Sequence, residues 1–483
     1  MKSIKLITTL FISFVLISSA TLQAQNRFDA LRYSQSSPGF DANSLSLSGA
    51  SFARYNGFGS IYVNPAVAGM ADKSEFTLGL GSRSVSEETT YLNTLTKFDD
   101  QQSGISNLGY LFRFPTETGS LVLGGGYNQI ANFNRATSIN AFNGDNSIVD
   151  YFLISPGDQY FETAFNTYAI EYDEEFEEYY NTLRADYNYR GMNQYAELKE
   201  RGQMGEFNVF MSTEFQKNFF VGGSVGIVMG DYRYKRIFLE EDVNGNYMDA
   251  AFDISNILNE DVIDATIRGV NARIGVMFIP IEGLNLGLSY TTKTRMDIDE
   301  TYSTMIRTEF YSSDADGYNT YEDVYEGEIS YTVTRPSILA GGFGISVLPF
   351  AELDVSAELM NYSNIEMGGI GIIYDRDENQ AILTDFDDVV NLRVGLSINA
   401  SEKIKPRFGY ALNPSPRKGF NGDISYYSVG ASFMLSPNIS MDAGIQFASW
   451  DDELNFYDYG TGSAFSTQNV EKVQGMVGFT FKF

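Results

Sequence analysis

The chain has no cysteine and no histidine. Without cysteine there is no disulfide framework, no lipoprotein-type export signal, no thiolate nucleophile and no iron–sulfur ligation. Without histidine, serine triads, most zinc sites and the histidine-dependent membrane proteases and phospholipases are excluded. Basic residues are scarce: 33 Lys and Arg face 62 Asp and Glu, a formal charge of −29. So acidic a surface argues against nucleic acid and against adsorption to anionic lipid. Proline is held to 11 residues, and no linker rich in Pro, Gly or Ser divides the chain. One large architecture is therefore expected, although soluble chains of this length often split into domains. Past the N-terminus no segment has eighteen apolar residues in a row, so no apolar helix crosses a bilayer. The acids crowd into polar stretches and no carboxylate pair is singled out. An enzyme is not expected, nor a metal or cofactor.

Aromatic residues and glycine are plentiful. Mean hydropathy is −0.18, yet 14% of residues are aromatic, with 32 Tyr, 37 Phe and one Trp, and glycine reaches 45. The last fourteen residues show how the aromatics are arranged. Counting back, Phe483, Phe481, Phe479, Val477 and Val473 fall on one face of a strand, while Lys482, Thr480, Gly478, Met476, Gln474 and Lys472 fall on the other. Side chains alternate with period two in a strand, so one face suits lipid and the other a wet lumen. The last strand of a soluble sandwich is the alternative for this segment alone. At the other end, Lys2 and Lys5 precede an apolar run from Leu6 to Ile17, then Ser18-Ser19-Ala20 and Leu22-Gln23-Ala24. This reads as a secretory signal over residues 1–24, with Gln25 first in the mature chain. An exported chain with no apolar helix can still enter a membrane by closing a barrel.

Alternation and turn signals predict fourteen strands, beginning near Glu75, Gly104, Gly119, Gln203, Asn218, Ile267, Glu282, Glu328, Phe350, Val389, Glu402, Asp423, Pro437 and Gln468. Six connections are short: Pro115 to Thr118, Gln216-Lys217, Pro280 to Glu282, Leu348-Pro349, Ala400 to Glu402 and Ser436 to Asn438. Seven longer ones alternate with them, the first from Ser84 to Ser103 and the largest from Ala131 to Gly202. Tight turns at one end and long loops at the other are the pattern of an even-stranded outer-membrane barrel. The expected class is thus all-β: a 14-stranded antiparallel transmembrane β-barrel over residues 75–483. Inside the largest loop, six acids lie between Glu171 and Glu178. Phe176, Tyr179, Tyr180, Leu183 and Tyr187 recur there at three- and four-residue spacing, which predicts a helix across the mouth. Asp242-Val243-Asn244-Gly245-Asn246 with Asp249, and Asp314-Ala315-Asp316-Gly317, offer oxygen ligands but miss the EF-hand register and read as Asx-rich turns. Gly124-Gly125-Gly126 and Gly341-Gly342 sit inside strand patterns and open no helix, so they are not phosphate loops.

About fifty residues, 25–74, precede the first strand and are surplus to the wall. They contain Gly49-Ala50-Ser51-Phe52-Ala53 and then Ser60-Ile61-Tyr62-Val63-Asn64-Pro65-Ala66. Late in the chain, Lys405-Pro406-Arg407-Phe408-Gly409-Tyr410 is followed by Asn413-Pro414-Ser415-Pro416. The first segment resembles the N-terminal hatch of the FadL/TodX family of outer-membrane transporters for hydrophobic compounds. The second resembles that family's Arg-x-Gly-Tyr strand, here Arg407, Gly409 and Tyr410, with its Pro-rich loop.

The resemblance implies a hatch inside the lumen and a location in the bacterial outer membrane. It implies a channel that binds and passes hydrophobic small molecules, whether a long-chain fatty acid or a neutral compound. Membrane lipid and the hydrophobic ligand would be its partners, nucleic acid would not, and other outer-membrane proteins would be if the chain is instead a non-transporting subunit of a secretion or assembly complex. It places Gln25 to Phe40 near the ligand, and makes Asn64, Pro65 and Ala66 the hatch anchor. Phe52, Phe58 and Tyr62 are candidates for ligand contact or for packing of hatch on wall. The acidic balance departs from what a fatty-acid carboxylate would need, with Arg54, Arg135, Lys235 and Arg236 as the basic groups available to hold one.

Overall fold

The computed structural model describes residues 25–186 and 188–483. The expected export signal, Met1 to Ala24, and Tyr187 lie outside the described residues. Before the first strand come helices α1 (Arg27–Ser34), α2 (Ala42–Ser46) and α3 (Phe58–Val63) and a 3-10 helix, Pro65–Met70. The first wall strands are β1 (Glu75–Tyr91), β2 (Thr94–Phe114), β3 (Leu121–Asn132) and β4 (Arg135–Asn143). A loop excursion carries α4 (Ile148–Phe152), α5 (Gln159–Asn166) and a small hairpin, β5 (Ile170–Asp173) and β6 (Glu178–Asn181). The wall resumes with β7 (Met192–Gln216), β8 (Phe219–Glu241), β9 (Ile254–Ile281), β10 (Leu284–Thr291), β11 (Thr294–Phe310), β12 (Thr320–Arg335), β13 (Ile338–Leu348), β14 (Ala351–Asn361) and β15 (Glu366–Gly368). After α6 (Ile372–Asp385) come β16 (Asp388–Ile398), β17 (Ile404–Asn413), β18 (Ile424–Ser436), β19 (Ile439–Asp458) and β20 (Ser463–Lys482).

Eighteen of these segments form one antiparallel sheet, and β1 pairs with both β2 and β20, so the sheet closes. Four wall strands are each broken into two segments: β3 with β4, β10 with β11, β12 with β13, and β14 with β15. The barrel therefore has fourteen strands. The break between β12 and β13 falls at Pro336, which has no N–H to give the ladder. Closure leaves no open edge in lipid. At the seam Glu75 faces Lys482, whose Nζ lies 3.0 Å from the Glu75 carboxylate.

The alternation in β20 is as the sequence predicts: Val477, Phe479, Phe481 and Phe483 point outward and exposed, while Gln474, Met476 and Thr480 are buried within. Outward positions of β7 and β8 form an apolar belt of Phe207, Val209, Met211, Val225, Ile227 and Met229. Arg201, Arg233, Arg268 and Arg295 stand beyond it toward the long-loop end, each beside an acid.

The short turns lie within about two residues of their expected places, but the long-loop ends differ. β1 and β2 extend past the belt and meet at Leu92-Asn93, both in the left-handed region (φ 46° and 64°). The first connection is thus a two-residue hairpin turn and not the loop Ser84 to Ser103, and short and long connections do not alternate without exception. Outside the belt both faces of a strand are wet, so the polar–apolar alternation that marks a strand fades there. The helix expected around Phe176 and Tyr180 is instead the β5–β6 hairpin. Asp173 Oδ1 accepts from the backbone N–H of Glu175 and Phe176 and turns the chain back. Of the aromatics expected on the helix, Tyr179 instead pairs across the hairpin with Tyr172, with ring centroids 4.9 Å apart. This excursion caps the long-loop end through a buried cluster that includes Tyr151, Phe152, Phe161, Phe238 and Phe456.

The N-terminal segment lies against the inner wall. Asn26 and Asp41 close capping boxes on α1 and α2, and the Asp41 carboxylate also accepts from Gly59 N–H at 2.7 Å, tying α2 to α3. Its main apolar contact joins Leu31, Tyr33, Phe40, Phe52 and Tyr62 to Met204, Ile267, Ile298 and Val333 of the wall.

Candidate functional site

The third wall strand breaks at Phe133-Asn134, between β3 and β4. Phe133 turns inward, its N–H donates to Gly202 O at 3.0 Å, and its ring meets Tyr33 and Tyr232 edge-on, each at 5.7 Å. Helix α1 lies beside this break. A cavity of about 280 Å³ opens between them, walled by Phe28, Leu31 and Arg32 of α1, Ala131 to Arg135 at the break, and Pro414 to Arg417, Phe420, Tyr426, Trp450 and Lys472 beyond. The volume lies near the lower end of the range for small-molecule sites.

Most charge in the cavity wall is already paired. Arg135 meets Glu87 at 2.5 Å and Asp452 at 2.9 Å, Arg417 meets Asp452 at 2.7 Å, and Arg32 meets Glu200 at 2.8 Å. Lys472 forms no ion pair among the described residues. What remains for a ligand among the described residues is aromatic and aliphatic surface with the unpaired Lys472 amine.

Helix α1 is held from the long-loop side by α6. Arg27 Nε donates to Asp385 at 2.7 Å, its backbone N–H donates to Glu378 at 2.8 Å, and Phe28 meets the Phe386 ring edge-on at 6.0 Å. The Tyr374 hydroxyl donates to Gln25 O at 3.2 Å. Burial, with Glu378 nearby, pushes that phenol above its ordinary range and keeps it a neutral donor.

The hatch residues named as candidates for ligand contact or for packing on the wall do not line this cavity. Phe58 packs over Gly109 and Gly126 and against Phe210, while Phe52 lies against Gly287 and Gly342. Tyr62 stacks near Phe40 at 4.3 Å and under the Arg273 guanidinium at 4.2 Å. Asn64 is the tie: its Nδ2 donates to Phe52 O at 3.2 Å and Val276 O at 3.3 Å, and its Oδ1 accepts from Ala66 N–H at 3.1 Å. It fits because Gly275 faces it, where a Cβ would stand 2.0 Å from Asn64 Oδ1. Pro65 opens the 3-10 helix and Ala66 is buried beside Phe220 and Met277. Gly409 lies under Leu47 and Arg407 is buried near Asp442 and Ser432. Tyr410 points outward toward Tyr427, ring centroids 5.3 Å apart.

Of the basic groups expected to receive a carboxylate, only Arg135 lines the cavity. Arg54 faces Asp354 at 3.2 Å, Arg236 is buried on Asp261 at 2.5 Å, and Lys235 meets Glu260 at 3.0 Å. Arg32 falls within the Gln25 to Phe40 stretch expected near the ligand and Lys472 on the expected lumen face of the last strand, while Arg417 and Trp450 are cavity residues that sequence reasoning missed. Arg417 directly follows Pro416 of the quoted loop, and Trp450 is the single tryptophan; neither carries a spacing signal. The acidic stretches close as turns. Asp242 accepts from the N–H groups of Asn246 and Tyr247, and Asp314 from those of Asp316 and Tyr318. No group of three or more acidic side chains placed to hold a metal occurs among the described residues.

A search of curated proteins returns no match. Among solved structures, the chain is similar to the toluene transporter TodX of P. putida, with a TM-score of 0.58 and 13% identity over 92% of this chain and 99% of that one. It is similarly related to a Pseudomonas aeruginosa FadL homologue, with a TM-score of 0.58 and 12% identity over 93% of this chain and 100% of that one. The toluene transporter TbuX of Ralstonia pickettii gives 0.51 at 13% identity over 92% and 99%. These likenesses show a shared fold. The family model for outer membrane protein transport proteins (OMPP1/FadL/TodX) matches residues 31–476. With a closed fourteen-stranded barrel around an N-terminal segment, the chain belongs to this family of outer-membrane channels, which are not enzymes.

Proposed function

We infer that this protein binds hydrophobic small molecules in the cavity beside α1 and passes them across the outer membrane. The observation that carries this reading is the joining of three features: an aromatic cavity, the break at Phe133-Asn134 beside it, and an N-terminal helix forming its wall. Burying a ligand there gains roughly 25 cal/mol per Å² of apolar area. Pairing of β3 with β2 ends at Asn107 and Asn128, short of the break, and α1 is no part of the closed sheet. Related channels named for toluene and other monoaromatic hydrocarbons support a hydrophobic cargo.

Within the 25–74 segment, Asn64, Pro65 and Ala66 act as the anchor, and Phe52, Phe58 and Tyr62 as packing between hatch and wall. Residues 75–483 are the channel wall, and membrane lipid surrounds the belt.

The test is purification in mild detergent followed by mass spectrometry of co-purified small molecules and proteins. A bound apolar or amphipathic compound without stoichiometric protein supports the transporter. A stable complex with another outer-membrane protein and an empty lumen would overturn it in favour of an accessory subunit.

A further inference from the structure

The inner wall below the break carries a patch of side chains in which six hydrogen-bonding atoms have no partner among the described residues. Asn107 on β2 directly opposes Asn128 on β3, and Asn128 opposes Glu206 on β7. One rung toward the short turns, Asn208 opposes Gly226, which in turn opposes Asn271. On the next rung Ser224 opposes Arg273. Asn107 and Asn128 are 0% exposed, Asn208 4%, and Asn271 and Ser224 7%. Yet Asn107 Nδ2, both amide atoms of Asn128, Asn208 Oδ1, Asn271 Oδ1 and Ser224 Oγ are unpartnered. Buried polar groups are otherwise nearly always satisfied. Here six such atoms are contiguous on one face, above Phe58 and beside Tyr62.

The charges within the patch are spoken for. Arg273 meets Glu206 at 3.3 Å and donates to Thr291 at 3.0 Å, and Asn271 Nδ2 donates to Glu206 at 2.8 Å. The unpartnered atoms are therefore neutral, and they include both donors and acceptors. A bare carboxylate only accepts hydrogen bonds, and a hydrocarbon does neither. A hydroxyl does both. Asn128 lies five residues before Phe133 on the same wall strand, about 16 Å along it at ~3.3 Å per residue.

Building on the transporter reading, we propose that this amide patch is a subsite for the neutral, hydroxyl-bearing head of an amphipathic ligand. The cargo class is then hydroxylated amphiphiles, not plain hydrocarbons or ionised fatty acids. The acidic balance of the chain is no obstacle to such a cargo.

The test uses the full chain in mild detergent, offered dodecan-1-ol, dodecane and laurate, with retention measured by native mass spectrometry. Dodecan-1-ol should be retained about tenfold better than either, as expected for one or two added hydrogen bonds in a buried site. Asn128→Leu should abolish that preference while dodecane retention stays unchanged. Asn208→Leu, on the neighbouring rung, is the second variant if the first fails to assemble, and the ranking on the unaltered chain is decisive by itself. Equal retention of alcohol and alkane, a preference for laurate, or a preference that survives both variants would overturn the subsite. Retention of none of the three would remove the transporter reading itself and the subsite with it.

Discussion

Gly409 lies so close to Leu47 that a Cβ on it would stand 2.3 Å from the Leu47 carbonyl carbon and 2.5 Å from Ser48 N. The wall strand β17 is therefore shaped to receive the backbone of the N-terminal segment. Gly409→Val should push that segment off the wall while leaving the barrel closed, because the wall's hydrogen-bond ladder runs through the backbone and not through this face. Limited proteolysis and conductance in planar bilayers report the two separately. More cleavage between residues 40 and 60, with a larger leak, is expected; unchanged values for both would refute the seating.

Asn64 holds three backbone groups at once, two carbonyls and one N–H. Asn64→Leu leaves them buried and unpartnered, at a cost of about 1–3 kcal/mol for the first group lost. The effect should be local. Amide exchange should quicken from Phe52 to Met70 with the β-strand amides still protected, and loss of protection throughout the barrel would contradict an anchor confined to the hatch.

The fourteen-stranded wall and its tight turns were legible in the sequence because the lipid belt forces a strict period of two between them. Phe481, Phe479 and Val477 could take no other face. The hairpin tip at Leu92-Asn93 was not legible, since residues such as Asp99, Asp100 and Gln101 are polar on both faces of β2. Asn64-Pro65-Ala66 stood out only through the family resemblance, and the bonds of Asn64 to Phe52 O and Val276 O carry no local signal. The cavity was not legible either. Phe28, Phe133 and Trp450 come together only because β3 breaks and α1 lies beside the gap, a long-range arrangement that no local pattern encodes.

Topology can be read directly because the chain has no native cysteine. Glu174→Cys, at the exposed tip of the β5–β6 hairpin, should react with a membrane-impermeant thiol probe on intact cells. Lys217→Cys, in the tight turn between β7 and β8, should react only after the outer membrane is opened. Reversed accessibility would invert the barrel.

Phe483 stacks on Tyr110 with ring centroids 6.1 Å apart, and its N–H donates to Ser74 O at 3.0 Å. It therefore joins the end of β20 to the start of the wall at the seam. Deleting Phe483 should lower the yield of heat-modifiable barrel, because closure is the step that removes the open edges. A truncated chain that assembles at full yield would show that the seam is fixed by Lys482 and the ladder alone.

Deleting residues 25–40 removes α1 and with it Phe28, Leu31 and Arg32 from the cavity wall, along with the Arg27 contacts to Glu378 and Asp385. Those ion pairs are only partly buried, so solvent screens them and they contribute little to stability on their own, about 0.2–1 kcal/mol each. The barrel should therefore assemble and show its usual heat shift. Ligand retention is another matter, since two apolar side chains that close the cavity are gone and the site stands open to the lumen. Burying one such side chain is worth about 1.5–3 kcal/mol, so retention of a bound apolar compound should fall by at least about tenfold. Arg27→Ala separates the two roles of the helix: it loosens α1 from α6 but keeps Phe28 and Leu31, and should raise the ligand off-rate with little change in assembly. Unchanged retention in an assembled deletion would move the ligand away from α1.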